Sequence, residues 1–196
     1  MGKIKELKYY DVQKVGTIKE LLEIAVEQAG DKIAFKYKDE KGKVIDVTYK
    51  EFQKDTFELG TALNSINMAD KHIAVIGENS YKWVTVYLTV LKSKGVIVPI
   101  DKELPVCDII NVLNDSDSEV LFYAKKYEKN IDEIAEKAPN VKYFIGFSTE
   151  KTEGNRLSYN EFKAEGKKLY EGGDKTYAEM ITDHNNLKML VYTSGT

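Results

Sequence analysis

The residues with the clearest chemical potential stand together at positions 191–196, Val-Tyr-Thr-Ser-Gly-Thr. A Ser/Thr/Gly loop after an apolar stretch suits a phosphate group. Glycine lets the backbone turn and approach a ligand closely. Successive N–H groups and hydroxyls then form a nest of donors for oxyanions. The same residue types also make ordinary turns, and spacing alone does not separate the two readings. The loop is not a Walker loop, because the lysine that pattern requires is absent. Other reactive side chains are scattered. His72 and His184 share no metal-ligand spacing with each other or with the one cysteine. Cys107 sits beside Val106 in an amphipathic stretch and reads as a packed thiol. Asp115-Ser116-Asp117-Ser118-Glu119 is an acidic turn without calcium-loop spacing. Tyr81, Trp83 and Tyr87 share one helical stretch and read as core or interface.

The chain of 196 residues carries a net charge of −3. That near balance gives no field for nucleic acid. No run approaches the ~18 apolar residues of a membrane span. The opening Met-Gly-Lys-Ile-Lys-Glu lacks the apolar core of a signal peptide. A single cysteine excludes an internal disulfide framework and a Cys-based zinc cluster, and it fits a cytoplasmic setting.

The elements that must position the loop follow from apolar periodicity. Residues 17–29 carry one stripe at helical spacing, opened by Thr17 and Glu20 as a capping box and stopped at Gly30. Residues 33–38 and 44–48 alternate and read as a hairpin. Thr48-Tyr49-Lys50-Glu51 opens a second helix to about residue 66. A strand–helix rhythm follows: strand 72–77, helix 81–93 capped by Asn79 and Ser80, strand 96–100, and a helix from Pro105 to Leu113. Gly95 is expected to supply a left-handed stop to the helix before it. Then come strand 120–123, helix 127–137, strand 141–145, a helix from Ser158 to about 170, and strand 187–192. Residues 148–156 and 171–176 read as surface loops. The alternation implies an α/β fold, a doubly wound and mostly parallel sheet with helices on both faces, preceded by a small N-terminal β-hairpin. Residues 1–196 read as one domain.

Several stretches carry a family resemblance in the right order. Tyr192-Thr193-Ser194-Gly195-Thr196 resembles the opening of the signature loop of the AMP-forming adenylate synthetases, the superfamily of acyl-CoA synthetases, luciferases and peptide-synthetase adenylation domains. Val47-Thr48-Tyr49-Lys50-Glu51-Phe52 resembles the early (Leu/Val)-Thr-Tyr-x-Glu-(Leu/Phe) element. Leu91-Lys92-Ser93-Lys94-Gly95 through Val98-Pro99-Ile100-Asp101 resembles the Leu-Lys-x-Gly-x-x-x-Val-Pro-(Leu/Ile)-Asp element, with one extra residue before the glycine. Gly77-Glu78-Asn79-Ser80-Tyr81-Lys82-Trp83 and Asp101-Lys102-Glu103-Leu104-Pro105 resemble the bacterial long-chain fatty acyl-CoA synthetase branch.

The resemblance implies the N-terminal part of an ATP-dependent acyl-CoA ligase, with a fatty acid as substrate. An aryl or amino-acid adenylation domain and a free-standing binding module of the same fold are the alternatives. It also implies that Thr193, Ser194, Gly195 and Thr196 hold the β- and γ-phosphates of ATP. Mg²⁺ and coenzyme A belong to the parent enzyme, whose adenine pocket, acidic metal ligand and mobile lysine-bearing domain lie downstream. The family signature continues Thr-Gly-x-Pro-Lys-Gly, so the chain reads as an N-terminal portion of the AMP-binding domain. On that reading it is expected to be inactive alone, to hold no cofactor, and to self-associate through the sheet edge left after residue 192.

Overall fold

The computed structural model describes residues 12–39 and 41–193. Helix α1 (Ile18–Ala29) is capped by Thr17, whose hydroxyl accepts from the Glu20 N–H. Strands β1 (Ile33–Lys38) and β2 (Val44–Thr48) form the antiparallel hairpin. Helix α2 (Tyr49–Ser65) opens with a complete capping box: the Thr48 hydroxyl takes the Glu51 N–H, and the Glu51 carboxylate takes the Thr48 N–H. These bonds satisfy donors that the first helical turn leaves open.

Five parallel strands make the main sheet: β3 (His72–Ile76), β4 (Val96–Ile100), β5 (Val120–Tyr123), β6 (Tyr143–Gly146) and β7 (Arg156–Ser158). Their spatial order is β4-β3-β5-β6-β7. Side chains alternate between two buried layers. Ile73, Val75, Ile97, Val120, Phe122 and Ile145 face one core, with helices α2, α3 (Tyr81–Lys92) and α6 (Tyr159–Glu171). Ala74, Ile76, Val98, Leu121 and Phe144 face the other, with α4 (Val106–Asp115) and α5 (Ile131–Lys137). The doubly wound α/β architecture and the hairpin are therefore as the periodicity expects. Among the described residues no helix is long and apolar enough to cross a membrane.

Four local expectations are corrected. Gly95 is not left-handed. Helix α3 ends through Ser93, whose hydroxyl donates to the Val90 carbonyl at 2.7 Å and accepts the Gly95 N–H at 2.9 Å. Glycine is needed at 95 because a Cβ there would lie 2.7 Å from the Lys71 carbonyl. Arg156, read as the end of a loop, opens β7, which pairs with β6 and leads straight into α6, where Ser158 makes no side-chain cap. The helix placed at 127–137 divides into a 3-10 turn (Lys125–Asn130) and α5, and the turn's Tyr127 hydroxyl donates to the Lys102 carbonyl. The stretch 187–192 is not a full strand. It meets β4 through one parallel bridge, Ile97 to Met189, held by Ile97 N–H to the Lys188 carbonyl and Leu190 N–H to the Ile97 carbonyl, both 3.0 Å. Two bonds to one neighbour do not build a ladder.

One buried charge stands out in the helical layer. Lys92 at the end of α3 is 2% exposed. Its ammonium donates to the Thr56 hydroxyl at 2.8 Å and lies 4.4 Å from the centre of the Phe57 ring. Among the described residues it has no carboxylate within ion-pair distance. Burial pulls its pKa from 10.5 down to about 8, with Glu23 opposing that pull and Lys19 adding to it. A folded-state pKa below the unfolded one means that the unfolded chain binds the extra proton between pH 8 and 10.5. Stability from this group therefore rises with pH across that window and is lost as pH falls through it, by ~3 kcal/mol in all. Urea unfolding of the native chain and Lys92→Met from pH 7.5 to 10 is expected to show that upward slope in the native chain relative to the variant. Parallel pH profiles of the two proteins would refute it.

Candidate functional site

The strand order creates a crevice. β3 feeds α3 on one face of the sheet, and β5 feeds the 3-10 turn and α5 on the other. The two outgoing loops diverge at adjacent strands, which is where open α/β sheets form ligand crevices. Gly77 ends β3 with φ 155°, and a Cβ on it would lie 2.7 Å from the Ala124 Cβ at the end of β5. The strand ends thus pinch together below the cleft.

A cavity of about 740 Å³ opens above them. Ala124, Phe147 and Tyr159 give its apolar lining, and Tyr37 and Tyr81 line it as well. The Tyr37 and Tyr81 rings are stacked, with centroids 4.9 Å apart and planes 4° apart. Ser80 lines the cavity and caps α3, its hydroxyl taking the Trp83 N–H. Lys38, Lys41, Lys82, Lys125 and Lys163 supply cationic groups. Lys82 donates to the Phe147 carbonyl and sits 5.3 Å from the Tyr159 ring centre.

A polar network fixes one side of the crevice. The Tyr81 hydroxyl donates to Asp55 Oδ2 at 2.6 Å, and Lys163 Nζ donates to Asp55 Oδ1 at 2.6 Å. Lys163 also pairs at 2.8 Å with Glu58, which is 3% exposed. Burial pulls the Lys163 pKa down, but its bonds to Asp55 and Glu58 outweigh that and hold it above the ordinary lysine value. Burial, then Asp55, pushes the Tyr81 hydroxyl far above its usual range. Burial does the same at Tyr159. Both hydroxyls therefore stay protonated.

The terminal loop is positioned separately. The segment before it runs parallel to β4 and so heads for the same carboxyl edge of the sheet. Leu190 and Tyr192 pack on the α4–α5 layer, and the Tyr192 hydroxyl donates to Asp115 at 2.7 Å. Burial and that bond push Tyr192 up to about 12. Thr193 is exposed and is not part of the crevice lining. Ser194, Gly195 and Thr196 lie outside the described residues.

The remaining candidates take structural places. His72 opens β3 with Nδ1 2.6 Å from the Ser116 carbonyl oxygen, and His184 is exposed beside Asp183. Cys107 is exposed, not packed, because the buried side of α4 is Ile109, Ile110, Val112 and Leu113. The acidic turn is only partly solvated: Ser116 and Ser118 are buried and hydrogen-bonded to each other at 2.7 Å. Trp83 and Tyr87 are half-buried and stacked. Among the described residues no three His, Cys, Asp or Glu side chains gather as metal ligands. Sequence reasoning missed the crevice, because its walls come from β1, α2, α3 and α6. The one local hint is Asn79-Ser80, a helix cap directly after a strand.

The chain belongs to the AMP-binding enzyme family, whose model matches residues 22–196. It is 31% identical over 109 residues to one chain of the mycosubtilin synthase of Bacillus subtilis, a match covering 55% of this chain and 4% of that protein. Its fold is similar to that of a mutant coronafacic acid ligase from Pectobacterium brasiliense, with a TM-score of 0.74 and 16% identity over 90% of this chain. The anthranilate CoA ligase AuaEII, solved with anthranoyl-AMP, gives a TM-score of 0.68 and 19% identity over 76% of this chain. The chain spans 33% and 28% of those two enzymes. At such identities the likeness speaks for the fold.

The Lys163 cluster has a testable weight. Lys163→Met leaves the Glu58 carboxylate buried, with Lys54 at 3.8 Å as its remaining cation. Loss of one partner of a buried pair costs about 3 kcal/mol. A clear fall in the urea midpoint is expected, and an unchanged midpoint would show that Lys54 and solvent suffice.

Proposed function

We propose that residues 1–196 are the N-terminal portion of the AMP-binding domain of an ATP-dependent acyl-CoA ligase, working in the cytoplasm on a fatty acid. The observation that carries this reading is the placement of the terminal segment. The family model runs through residue 196, and residues 187–190 lie along the β4 edge, parallel to the sheet. That direction points the segment after residue 190 toward the carboxyl edge, where loops of such sheets meet ligands, and it supports assigning Thr193, Ser194, Gly195 and Thr196 to ATP phosphate. The fatty-acid preference rests on the resemblance of Glu78–Trp83 and Asp101–Pro105 to the long-chain branch.

In the proposed reaction a carboxylate oxygen attacks the α-phosphorus of ATP. The bond to the β-phosphate oxygen breaks, releasing pyrophosphate and leaving an acyl-adenylate. The thiol sulfur of coenzyme A then attacks the acyl carbon, AMP leaves, and the thiol proton goes to solvent. Residues 193–196 would contribute hydroxyl and N–H donors to the β- and γ-phosphates, stabilising the charge that builds on the leaving pyrophosphate. Mg²⁺ would neutralise the same phosphates. Thr193 is exposed, as that role requires. An amino-acid or aryl substrate is the second reading, because the Val47–Phe52 and Leu91–Asp101 elements resemble motifs shared across the superfamily.

The 196-residue chain is expected to release no pyrophosphate with ATP, coenzyme A and palmitate, because most of the catalytic groups would lie downstream. Turnover by the chain alone would overturn that. The polypeptide continuing past Thr196 is expected to read Thr-Gly-x-Pro-Lys-Gly and to exchange pyrophosphate into ATP with palmitate. Exchange with aryl or amino acids only would replace the fatty-acid reading. Leu187, Met189 and Val191 are exposed at alternate positions of the terminal segment. The chain is accordingly expected to self-associate in light scattering, and a strict monomer across a wide concentration range would count against it.

A further inference from the structure

The crevice above β3 and β5 has no part in the reaction just proposed, which rests on residues 193–196. Its acidic groups are already engaged. Asp39 accepts the Lys41 and Lys43 N–H groups within the hairpin turn, at 2.9 and 2.8 Å. Asp55 is held by Tyr81 and Lys163. Glu78 is held by Lys102 at 2.5 Å and Lys126 at 3.8 Å. The basic groups are not balanced in the same way. Lys38, Lys41 and Lys125 are exposed at the crevice and pair with no carboxylate among the described residues.

Two further features point the same way. The N-terminal end of the twelve-residue α3 opens on this space through Ser80, Tyr81 and Lys82, adding the partial positive charge of a helix start. The walls are flat and apolar as well as cationic, with the Tyr37–Tyr81 stack above Ala124 and Phe147. About 740 Å³ is far more than an inorganic anion fills and falls within the size range of small-molecule sites.

We infer that this crevice is a second binding site, separate from residues 193–196, for a phosphate ester with a planar body. The phosphate meets Lys38, Lys41 and Lys125, and the planar body lies against Tyr37 and Tyr81. The ammonium groups supply attraction over the whole mouth, and the tyrosine wall supplies contact that a bare phosphate does not use.

Isothermal titration calorimetry of the 196-residue chain with AMP, and separately with inorganic phosphate, tests this. AMP is expected to bind with a dissociation constant below ~1 mM, and inorganic phosphate at least ~10-fold more weakly. Lys38→Ala/Lys41→Ala/Lys125→Ala is expected to weaken AMP at least ~10-fold, and Lys125→Ala alone to account for part of that loss. All three lysines are exposed, so the urea midpoint of the triple variant should match the native chain. Thr193→Ala should leave AMP binding unchanged. No AMP heat, equal affinity for phosphate, or AMP binding that survives the triple variant would each overturn the inference. Binding kept by the triple variant but lost in Thr193→Ala would put AMP on the terminal loop and sink this site.

Discussion

A parallel sheet must be covered on both faces, and here that requirement organises everything else. β3 is the hinge of the arrangement. Its outgoing helix covers one face, while the helices after β4 and β5 cover the other. Because Ile73 and Val75 point one way and Ala74 and Ile76 the other, neither layer can slide without exposing one set. The crevice is a by-product of that constraint. Two neighbouring strands send their chains to opposite sides, and the space between is left to side chains from the hairpin, α2, α3 and α6.

Those side chains are fixed by electrostatics more than by apolar packing. Asp55 is shared between a tyrosine hydroxyl and an ammonium, and the same ammonium neutralises Glu58. One lysine therefore links α6 to α2, while the Tyr81 bond links α2 to α3. The wall of the crevice is a hydrogen-bonded lattice with few alternative arrangements. The hairpin joins it through rings, Tyr37 on Tyr81 and Phe35 tilted against Phe52.

Much of this architecture was legible in the sequence where a local rule decides it. The hairpin bounds, the Thr48–Glu51 capping box and the Ser80 cap follow from residue type and spacing, and each is satisfied in place. The continuous apolar strands Val96–Ile100 and Val120–Tyr123 announced a sheet buried on both sides. Two of the misreadings share one cause, contacts far apart in sequence. Gly95 looked like a helix stop but answers to the Lys71 carbonyl. Arg156 looked like loop but opens the strand that pairs with β6. For the site, Thr193 could be nominated because its neighbours form a motif. Lys163, Asp55 and Tyr37 could not, since only the fold brings them to one cavity.

The chain uses Arg156 as its only arginine, and every other strong base is lysine. That habit matters most at position 92, inside the helical layer. A guanidinium there would stay charged at any pH the protein meets, and burying it would be a permanent burden. An amine can give up its proton and become a neutral hydrogen-bonding group beside Thr56 and the Phe57 ring. The core between α2 and α3 therefore contains a residue able to change character without moving, cationic in mild conditions and nearly aliphatic in alkaline ones.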